Sequence, residues 1–306
     1  MAMLQNKKKT NMGKLIFYIC LIALPTLHYI VFYIGVNFNS FLLAFRNYDR
    51  LTGEYSFAGL SNFQQAFVNL FTSKMGHIRL KNSLIAFSCS LLVVMTLGVL
   101  FSYYIYKGKI FSELFKTVIF LPQMISSLVF VIIYMYLVDL GVPLVVQKVS
   151  GETILGLYAN MKTQFGTVLF FAIWASFGSN LLMYLTAMSS INESVVEASK
   201  IDGVGFFGEF WYITLPAIWP TFTTFLIVSV SQIFTNQMYL FSFGGQFVSA
   251  EMQTVGYYLF KELYVNQSNV SAWPPLAAMG LMLTLLVVPT VNILRYFLNK
   301  YGPSEV

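Results

Sequence analysis

Six long apolar stretches dominate the pattern of hydrophobic and polar positions along the chain. They cover residues 15–36, 83–106, 117–138, 165–189, 217–241 and 275–298. A helix rises about 1.5 Å per residue, so about 20 residues cross a bilayer core about 30 Å thick. The stretches contain no Lys, Asp or Glu, and their only Arg is Arg295. The pattern therefore predicts six membrane-spanning helices and an all-α, polytopic membrane protein.

The basic residues between these stretches predict the orientation of the chain. Four lysines precede the first stretch, and three more lie in 107–116, whereas 139–164 and 242–274 are poor in basic residues. Short segments rich in Lys and Arg stay on the cytoplasmic side. We therefore expect both termini and the 190–216 segment inside the cell, and the long 37–82 loop outside.

The composition agrees with a membrane protein. Hydrophobic residues make up 57% of the chain and charged residues 10%, and the mean hydropathy is +0.70. Soluble domains carry about a quarter charged residues. We find no internal repeat, low-complexity tract or linker, so residues 1–306 are interpreted as one transmembrane domain.

Several kinds of chemistry are excluded by what the sequence lacks. Cys20 and Cys89 both fall in apolar stretches, and His28 and His77 have no partner at metal-ligand spacing, so we expect no metal site. The net charge of +6 is scattered rather than gathered in a stripe, which argues against a nucleic-acid partner. The chain has no GxxxxGK[ST] motif, so any ATP hydrolysis belongs to another chain.

The polar segment 190–216 contains the clearest local signals. Asn192 is a good N-cap for a short helix over 191–201, and Gly203 is well placed to end that helix in a left-handed conformation. Pro216 suits the first turn of the next spanning helix, because its missing N–H has no partner there anyway.

A resemblance gives this segment a function. The run Glu197-Ala198-Ser199-x-x-Asp202-Gly203, followed by Phe210 and Ile213-x-Leu215-Pro216, resembles the EAA loop of permease subunits of ATP-binding-cassette (ABC) importers. The spacing of that family's pattern, roughly E-A-A-x-x-D-G-A with a later F and I-x-L-P, matches throughout. Ser199 and Val204 replace two alanines, and Asn192 stands where a proline is common. The resemblance implies the architecture of a type I importer permease and a coupling helix that docks on an ATPase subunit. The implied coupling residues are Glu197, Ala198, Ser199, Asp202 and Gly203.

Other motifs extend the resemblance to the carbohydrate branch of the family. The run 57–63 and Asn82-Ser83 are similar to the first outer loop of carbohydrate permeases, and 116–122 is similar to the start of their next helix. The group Gly244-Gly245-Gln246, with Thr254 and Tyr257-Tyr258, resembles a GGP…T loop in which Gln246 replaces the proline. That loop is typical of the maltose- and glycerol-phosphate-type first permease of a heteromeric pair.

The resemblance implies a function and a set of partners. We expect a non-enzymatic permease that moves a sugar or oligosaccharide across the bacterial cytoplasmic membrane by alternating access. The implied partners are a second permease, an ATPase dimer that binds ATP and Mg²⁺, an extracellular solute-binding protein and membrane lipid. The chain itself needs no cofactor. The motifs do not distinguish a disaccharide from a longer oligosaccharide or a glycerol-phosphate compound.

Polar residues inside two of the predicted helices are candidates for the substrate pathway. They lie on one face of the fourth helix and one face of the fifth: Ser176, Asn180 and Tyr184, and Ser229, Gln232 and Asn236. Amides and hydroxyls suit sugar hydroxyls and are costly to expose to lipid, so we expect both faces to point into the bundle. Polar packing between helices, or against the partner permease, is the other explanation.

Rival functions lack support in the sequence. The alternative is an ion-coupled secondary transporter of a small solute, but such machines use carboxylates or broken helices within the membrane. A membrane enzyme would need a clustered set of catalytic groups. A purely structural subunit would have no need for the EAA spacing.

Overall fold

The structure is a computed structural model that describes residues 12–265 and 267–303. Five continuous helices in these ranges are long and apolar enough to cross a membrane. They are α1 (Met12–Leu43), α3 (Lys74–Tyr106), α5 (Ser127–Ser150), α6 (Gln164–Ser189) and α12 (Trp273–Tyr301). A bent pair, α8 (Phe206–Ala217) and α9 (Trp219–Ser231), supplies a sixth candidate span. The prediction of an all-α, polytopic membrane protein is thus confirmed.

Shorter elements connect the spans. They are β1 (Arg46–Tyr48), β2 (Tyr55–Phe57), α2 (Ser61–Phe67), α4 (Ser112–Met124), α7 (Glu193–Ile201), α10 (Leu240–Gly244) and α11 (Val255–Phe260). Single helical turns lie at Val68–Thr72, Gly245–Phe247, Ala250–Met252, Lys261–Val265 and Val270–Ala272. Wide turns of the π type interrupt α1, α3, α5 and α8 without ending them.

The chain divides into two compact units. The first comprises the described residues up to Ala66 together with Val270–Leu281. Its hairpin pairs Arg46 with Phe57 and Tyr48 with Tyr55 in antiparallel register. The side-chain amide of Asn62 donates to the carbonyl oxygens of Ala44 (3.0 Å) and Arg46 (2.6 Å) and so closes the base of the hairpin.

The second unit, which comprises the described residues from Phe67 to Asn269 and from Met282 onward, is built around an aromatic core. Phe171 of α6 lies at its centre, with its ring 4.8 Å from that of Phe130, 5.0 Å from Tyr134 and 5.1 Å from Phe243. The Tyr134 hydroxyl donates to the Thr167 carbonyl at 3.0 Å, which satisfies its polar end. This core joins α5, α6 and α10.

Helix α6 also packs closely against α3. The Ser102 hydroxyl donates to the Leu181 carbonyl at 2.9 Å, and Gly98 lets the Tyr184 ring approach the α3 backbone. Small residues and hydroxyls of this kind replace the hydrophobic effect as the source of helix contact in lipid.

The predicted span 117–138 is wrong in detail, because it is two helices. Helix α4 ends at Met124, Ile125 is extended, and α5 starts at Ser127. Pro122 weakens the last turn of α4 because it cannot donate to the carbonyl of Val118, and the extended Ile125 then ends the helix.

The predicted span 217–241 is wrong in a way that matters for function. The chain bends by 67° between α8 and α9, and α9 ends at Ser231, ten residues early. Pro216 lies within the first of these helices rather than at the start of the span, and Pro220 occupies the first turn of the second. The segment 232–239 that follows is not helical.

The remaining spans lie close to their predictions. Helix α6 covers 165–189 almost residue for residue, whereas α1 and α3 are longer than predicted. The basic N-terminal tail lies largely outside the described residues, so the orientation of the termini stays a prediction.

Candidate functional site

Helix α7 carries the residues predicted to couple the chain to an ATPase. The Asn192 side chain caps its first turn by accepting from the Ser194 N–H at 3.1 Å. Gly203 follows its last turn with φ +78°, a conformation that costs other residues about 1–2 kcal/mol. Both caps are those the sequence predicts, and they make α7 a short helix with fixed ends.

The two faces of α7 differ in exposure. Ser199 and Val196 are buried, and the Ser199 hydroxyl donates to the Val196 carbonyl at 2.7 Å. Glu197 and Ala198, together with Asp202 and Gly203 beyond the helix end, are exposed. Ile201 at the end of the helix is also 86% exposed, which is unusual for an isoleucine. The five residues predicted to couple therefore split into one that packs inward and four that are exposed.

An ion pair ties the segment after α7 to the end of α3. Lys107 Nζ lies 2.5 Å and 2.6 Å from the two carboxylate oxygens of Glu209, which is only 3% exposed. The hydroxyl of Tyr103 donates to the Phe206 carbonyl at 2.8 Å, and its ring packs against that of Phe210. Sequence reasoning missed this anchor. The available signal in the sequence was a charged residue next to aromatic residues in each segment, Lys107 in one and Glu209 in the other.

A polar cavity of about 530 Å³ lies among α3, α6 and the segment after α9. This volume is within the range of small-molecule sites. Its polar lining comes from these three elements and from α10: Ser90, Ser176, Gln232, Thr235, Asn236, Gln237, Tyr239 and Ser242. Ala86, Leu169, Ala172, Ile173 and Met238 supply the apolar remainder. Such a wall can hydrogen-bond a polyhydroxylated ligand and pack against its C–H faces.

The cavity brings together three of the six candidate pathway residues. Ser176, Gln232 and Asn236 line it directly. Ser229 lines a smaller adjoining cavity of about 50 Å³, which shares Gln232 and Asn236 with the larger one.

The other two candidates lie outside both cavities. Tyr184 is fully buried, with its ring 5.2 Å from that of Phe225, and its hydroxyl has no hydrogen-bond partner among the described residues. Asn180 lies beside Gly98 on the same side of α6. The structure thus places Tyr184 and Asn180 in the α3–α6 packing.

The early end of α9 creates one wall of the cavity. Asn236 accepts through its side chain from the Met238 N–H at 2.8 Å and turns the chain. Met238 and Tyr239 follow with φ of 52° and 59°, two consecutive left-handed residues that are not glycine. Strain of this kind persists only where the surroundings hold it, and it concentrates at functional sites.

The Gly-Gly motif and the residues after it hold this wall in place. Thr254 donates to the Asn236 carbonyl at 3.0 Å, and it also caps α11 by accepting from the Tyr257 N–H. The Tyr257 hydroxyl donates to the carbonyl of Gly245, whose φ of 55° and ψ of −128° suit only glycine.

The Asn82-Ser83 motif meets the same region from α3. The Asn82 side-chain amide donates to the carbonyls of Glu251 (2.8 Å) and Gln253 (3.0 Å), and the Ser83 hydroxyl accepts from the Val255 N–H at 3.0 Å. Two motifs about 170 residues apart are therefore joined directly.

The site offers nothing that would hold a metal. Within residues 12–265 and 267–303, no group of three or more His, Cys, Asp or Glu residues is placed to bind a metal ion. The carboxylate of Asp139 in α5 already accepts hydrogen bonds from the N–H groups of Tyr158 and Ala159.

Comparison with known proteins assigns a family to this arrangement. The model of the family described as "Binding-protein-dependent transport system inner membrane component" matches residues 94–302. The polygalacturonan/rhamnogalacturonan transport system permease YteP of Bacillus subtilis is 26% identical over 235 residues, which cover 74% of this chain and 72% of the relative. The sn-glycerol-3-phosphate permease UgpA of Pectobacterium atrosepticum is 26% identical over 278 residues, 89% of this chain and 90% of the relative.

A solved structure has the same fold. It is a bacterial alginate ABC transporter in complex with an alginate pentasaccharide-bound periplasmic protein. The TM-score is 0.76 at 19% sequence identity, with 98% of this chain and 100% of that chain covered.

Proposed function

The chain belongs to the family of binding-protein-dependent transport system inner membrane components, and we propose from this that it is a permease subunit of an ABC importer for a sugar or oligosaccharide. The cavity of about 530 Å³ supports a sugar as the substrate, because hydroxyl and amide groups from four elements converge on it. Relatives with permease functions toward sugars and glycerol phosphate support the same choice. An ion-coupled secondary transporter is not favoured.

The chain transmits motion and catalyses nothing. Helix α7 docks on a partner ATPase, with Glu197 and Ala198 of its exposed face and Asp202 and Gly203 beyond its end at the contact. Ser199 packs α7 inward and sets its orientation. ATP and Mg²⁺ are bound by the ATPase dimer, so closure of that dimer is the source of free energy. A permease needs only two packed states that differ in affinity for the open and closed dimer.

A chain of contacts links α7 to the cavity. The Lys107–Glu209 pair and Tyr103 tie the segment after α7 to one end of α3. Asn82 and Ser83 near the other end of α3 hold residues 251–255, and Thr254 holds the cavity wall at Asn236. A displacement of α7 would therefore reach the cavity through the single continuous helix α3.

The partners follow from the family and the motifs. The second permease of a heteromeric pair forms the other wall of the pathway, and an extracellular solute-binding protein delivers the sugar. The chain resides in the bacterial cytoplasmic membrane with both termini inside. Residues 1–306 act as one permease domain, because the family match runs through parts of both structural units.

Affinity purification in mild detergent, followed by reconstitution, tests this function. We expect a second six-helix permease and two copies of a P-loop ATPase to co-purify, and vesicles with the binding protein to accumulate a sugar only with ATP inside. Purification as a lone chain, with no ATPase even after crosslinking, would contradict the proposal. Uptake driven by an ion gradient without ATP would support the secondary transporter.

A further inference from the structure

We propose that the imported substrate is an uncharged sugar, rather than a sugar acid or a sugar phosphate; this inference rests on the proposed function. The observation behind it is the charge of the cavity wall. Each residue that lines the cavity of about 530 Å³ is neutral, and none is a histidine. The hydrogen-bonding groups are side-chain amides and hydroxyls, such as those of Gln232, Asn236 and Ser176.

The end of α9 adds a partial negative charge to this wall. The helix stops at Ser231, and Gln232 and Asn236 of the following turn line the cavity. The C-terminal end of a helix is equivalent to roughly half a negative elementary charge. Discontinuous membrane helices place such C-terminal ends against cations, whereas anionic groups are bound at helix N-terminal ends. Sugar hydroxyls are donors, whereas carboxylates and phosphates are not.

Arg79, a cation of α3 near the cavity end of that helix, is committed elsewhere. Arg79 of α3 donates to the Gln253 side chain at 3.1 Å and stacks over the Tyr258 ring at 3.9 Å, and it does not line the cavity. Lys107, at the opposite end of α3, is paired with Glu209. An anion that moves from water into the cavity would therefore meet no counter-charge from this chain. The loss of its hydration is then uncompensated, which is costly at low dielectric.

A neutral sugar meets no such penalty. Its hydroxyls both donate and accept, so they satisfy amides that also do both. The apolar face of a pyranose ring can lie on an aromatic ring, and Tyr239 presents one at the cavity.

Competition for uptake tests the inference. The complete transporter, in vesicles with its binding protein and internal ATP, is given an equimolar mixture of malto-, galacto- and xylo-oligosaccharides, oligogalacturonates and sn-glycerol-3-phosphate. Mass spectrometry of the vesicle contents then identifies what accumulates. We expect the accumulated amount of neutral oligosaccharide to exceed that of every anionic compound by about tenfold or more. This ratio corresponds to the loss of one charge-assisted contact. Equal or preferential accumulation of an anion would overturn the inference but leave the importer function intact. If no sugar accumulates while ATP is hydrolysed, the proposed function itself fails.

Introduced charge provides a second test that does not depend on the binding protein. Binding of galactotriose and of trigalacturonate to the purified transporter, without binding protein, is measured by native mass spectrometry. We expect Gln232→Arg to lower the neutral-to-acidic binding ratio about tenfold, because the new guanidinium pairs with a carboxylate. Ser90→Lys, on a different element, should lower it in the same direction. Gln147→Arg, an exposed position of α5, is the matched control and should leave the ratio unchanged. An unchanged ratio in both cavity variants would show that this wall does not select the charge of the substrate.

Discussion

At the scale of single residues, the polarity of a side chain within a span does not decide whether it lines the cavity; its position in the packed structure does. Gln232 and Tyr184 are both polar residues of predicted spans, yet Gln232 lines the cavity and Tyr184 is buried against Phe225. Gln232 is an exposed residue of the cavity wall. The Tyr184 hydroxyl is enclosed by packing, where an unmatched polar group costs about 1–3 kcal/mol.

Substitution of these two residues should affect sugar uptake differently. We expect Gln232→Ala to raise the KM for sugar uptake about tenfold, because one or two hydrogen bonds to the substrate are lost. Tyr184→Phe should leave KM unchanged and leave the free energy of unfolding equal or slightly higher. Uptake kinetics in vesicles and thermal unfolding of the purified complex measure these effects. A wild-type KM for Gln232→Ala would remove this residue from the pathway.

A buried charge makes Glu209 a critical residue for stability. We expect Glu209→Gln to lower the free energy of unfolding by about 3–5 kcal/mol, because Lys107 is left charged and unpaired at a partly buried position. The double variant Lys107→Met/Glu209→Met should recover much of this loss, since neither charge then remains. Thermal unfolding of the three proteins in detergent tests the prediction. A double variant no more stable than Glu209→Gln would contradict it.

At the scale of elements, glycines determine where helices stop and how closely segments approach. Gly203 ends α7 in a left-handed conformation, whereas Gly205 two residues later has φ of −75° and open space around it. The same residue type therefore serves a conformational need at one position and no visible need at the other.

This contrast gives a matched pair of variants for the coupling loop. We expect Gly203→Val to uncouple ATP hydrolysis from uptake, because the β-branched side chain is strained at φ +78° and misplaces the end of α7. Gly205→Val should retain wild-type coupling, because φ there is negative and the space around it is open. The ratio of sugar imported to ATP hydrolysed, measured in vesicles, distinguishes the two. Normal coupling in Gly203→Val would contradict the assignment of α7 as the coupling helix.

At the scale of the whole molecule, α3 connects the two candidate functional regions of the second unit, the α7 segment and the cavity. Tyr103 holds the segment after α7, and Asn82 holds the loop that supports the cavity wall. These residues are 21 positions apart, which is about 31 Å along a helix at 1.5 Å per residue. Variants so far apart normally act independently.

Transmission along α3 predicts that they do not. We expect Asn82→Ala and Tyr103→Phe each to lower sugar-stimulated ATPase activity, and the double variant to be no worse than the more affected single one. Ser88→Ala, exposed on the same helix, combined with Tyr103→Phe should instead give additive effects. Additive loss in the Asn82 and Tyr103 pair would show that α3 is not the link.

The sequence alone was enough to determine the membrane class, the α6 boundaries and both caps of α7, because these features depend on composition and on local sequence. Hydrophobicity, N-cap preference and the left-handed tolerance of glycine each depend on a few neighbouring residues. The importer family was likewise readable, because the EAA spacing lies within 20 residues.

Only the tertiary structure decided where the cavity lies. The 217–241 stretch is apolar enough to predict a continuous helix, but the helix ends at Ser231. The contact from Thr254 and the turn at Asn236 stabilise the non-helical segment that follows. The Lys107–Glu209 pair and the junction of Asn82 with 251–253 join residues 102 to 171 positions apart. Pairing over such distances depends on how whole helices pack, and apolar periodicity carries no information about which partner a polar side chain will meet.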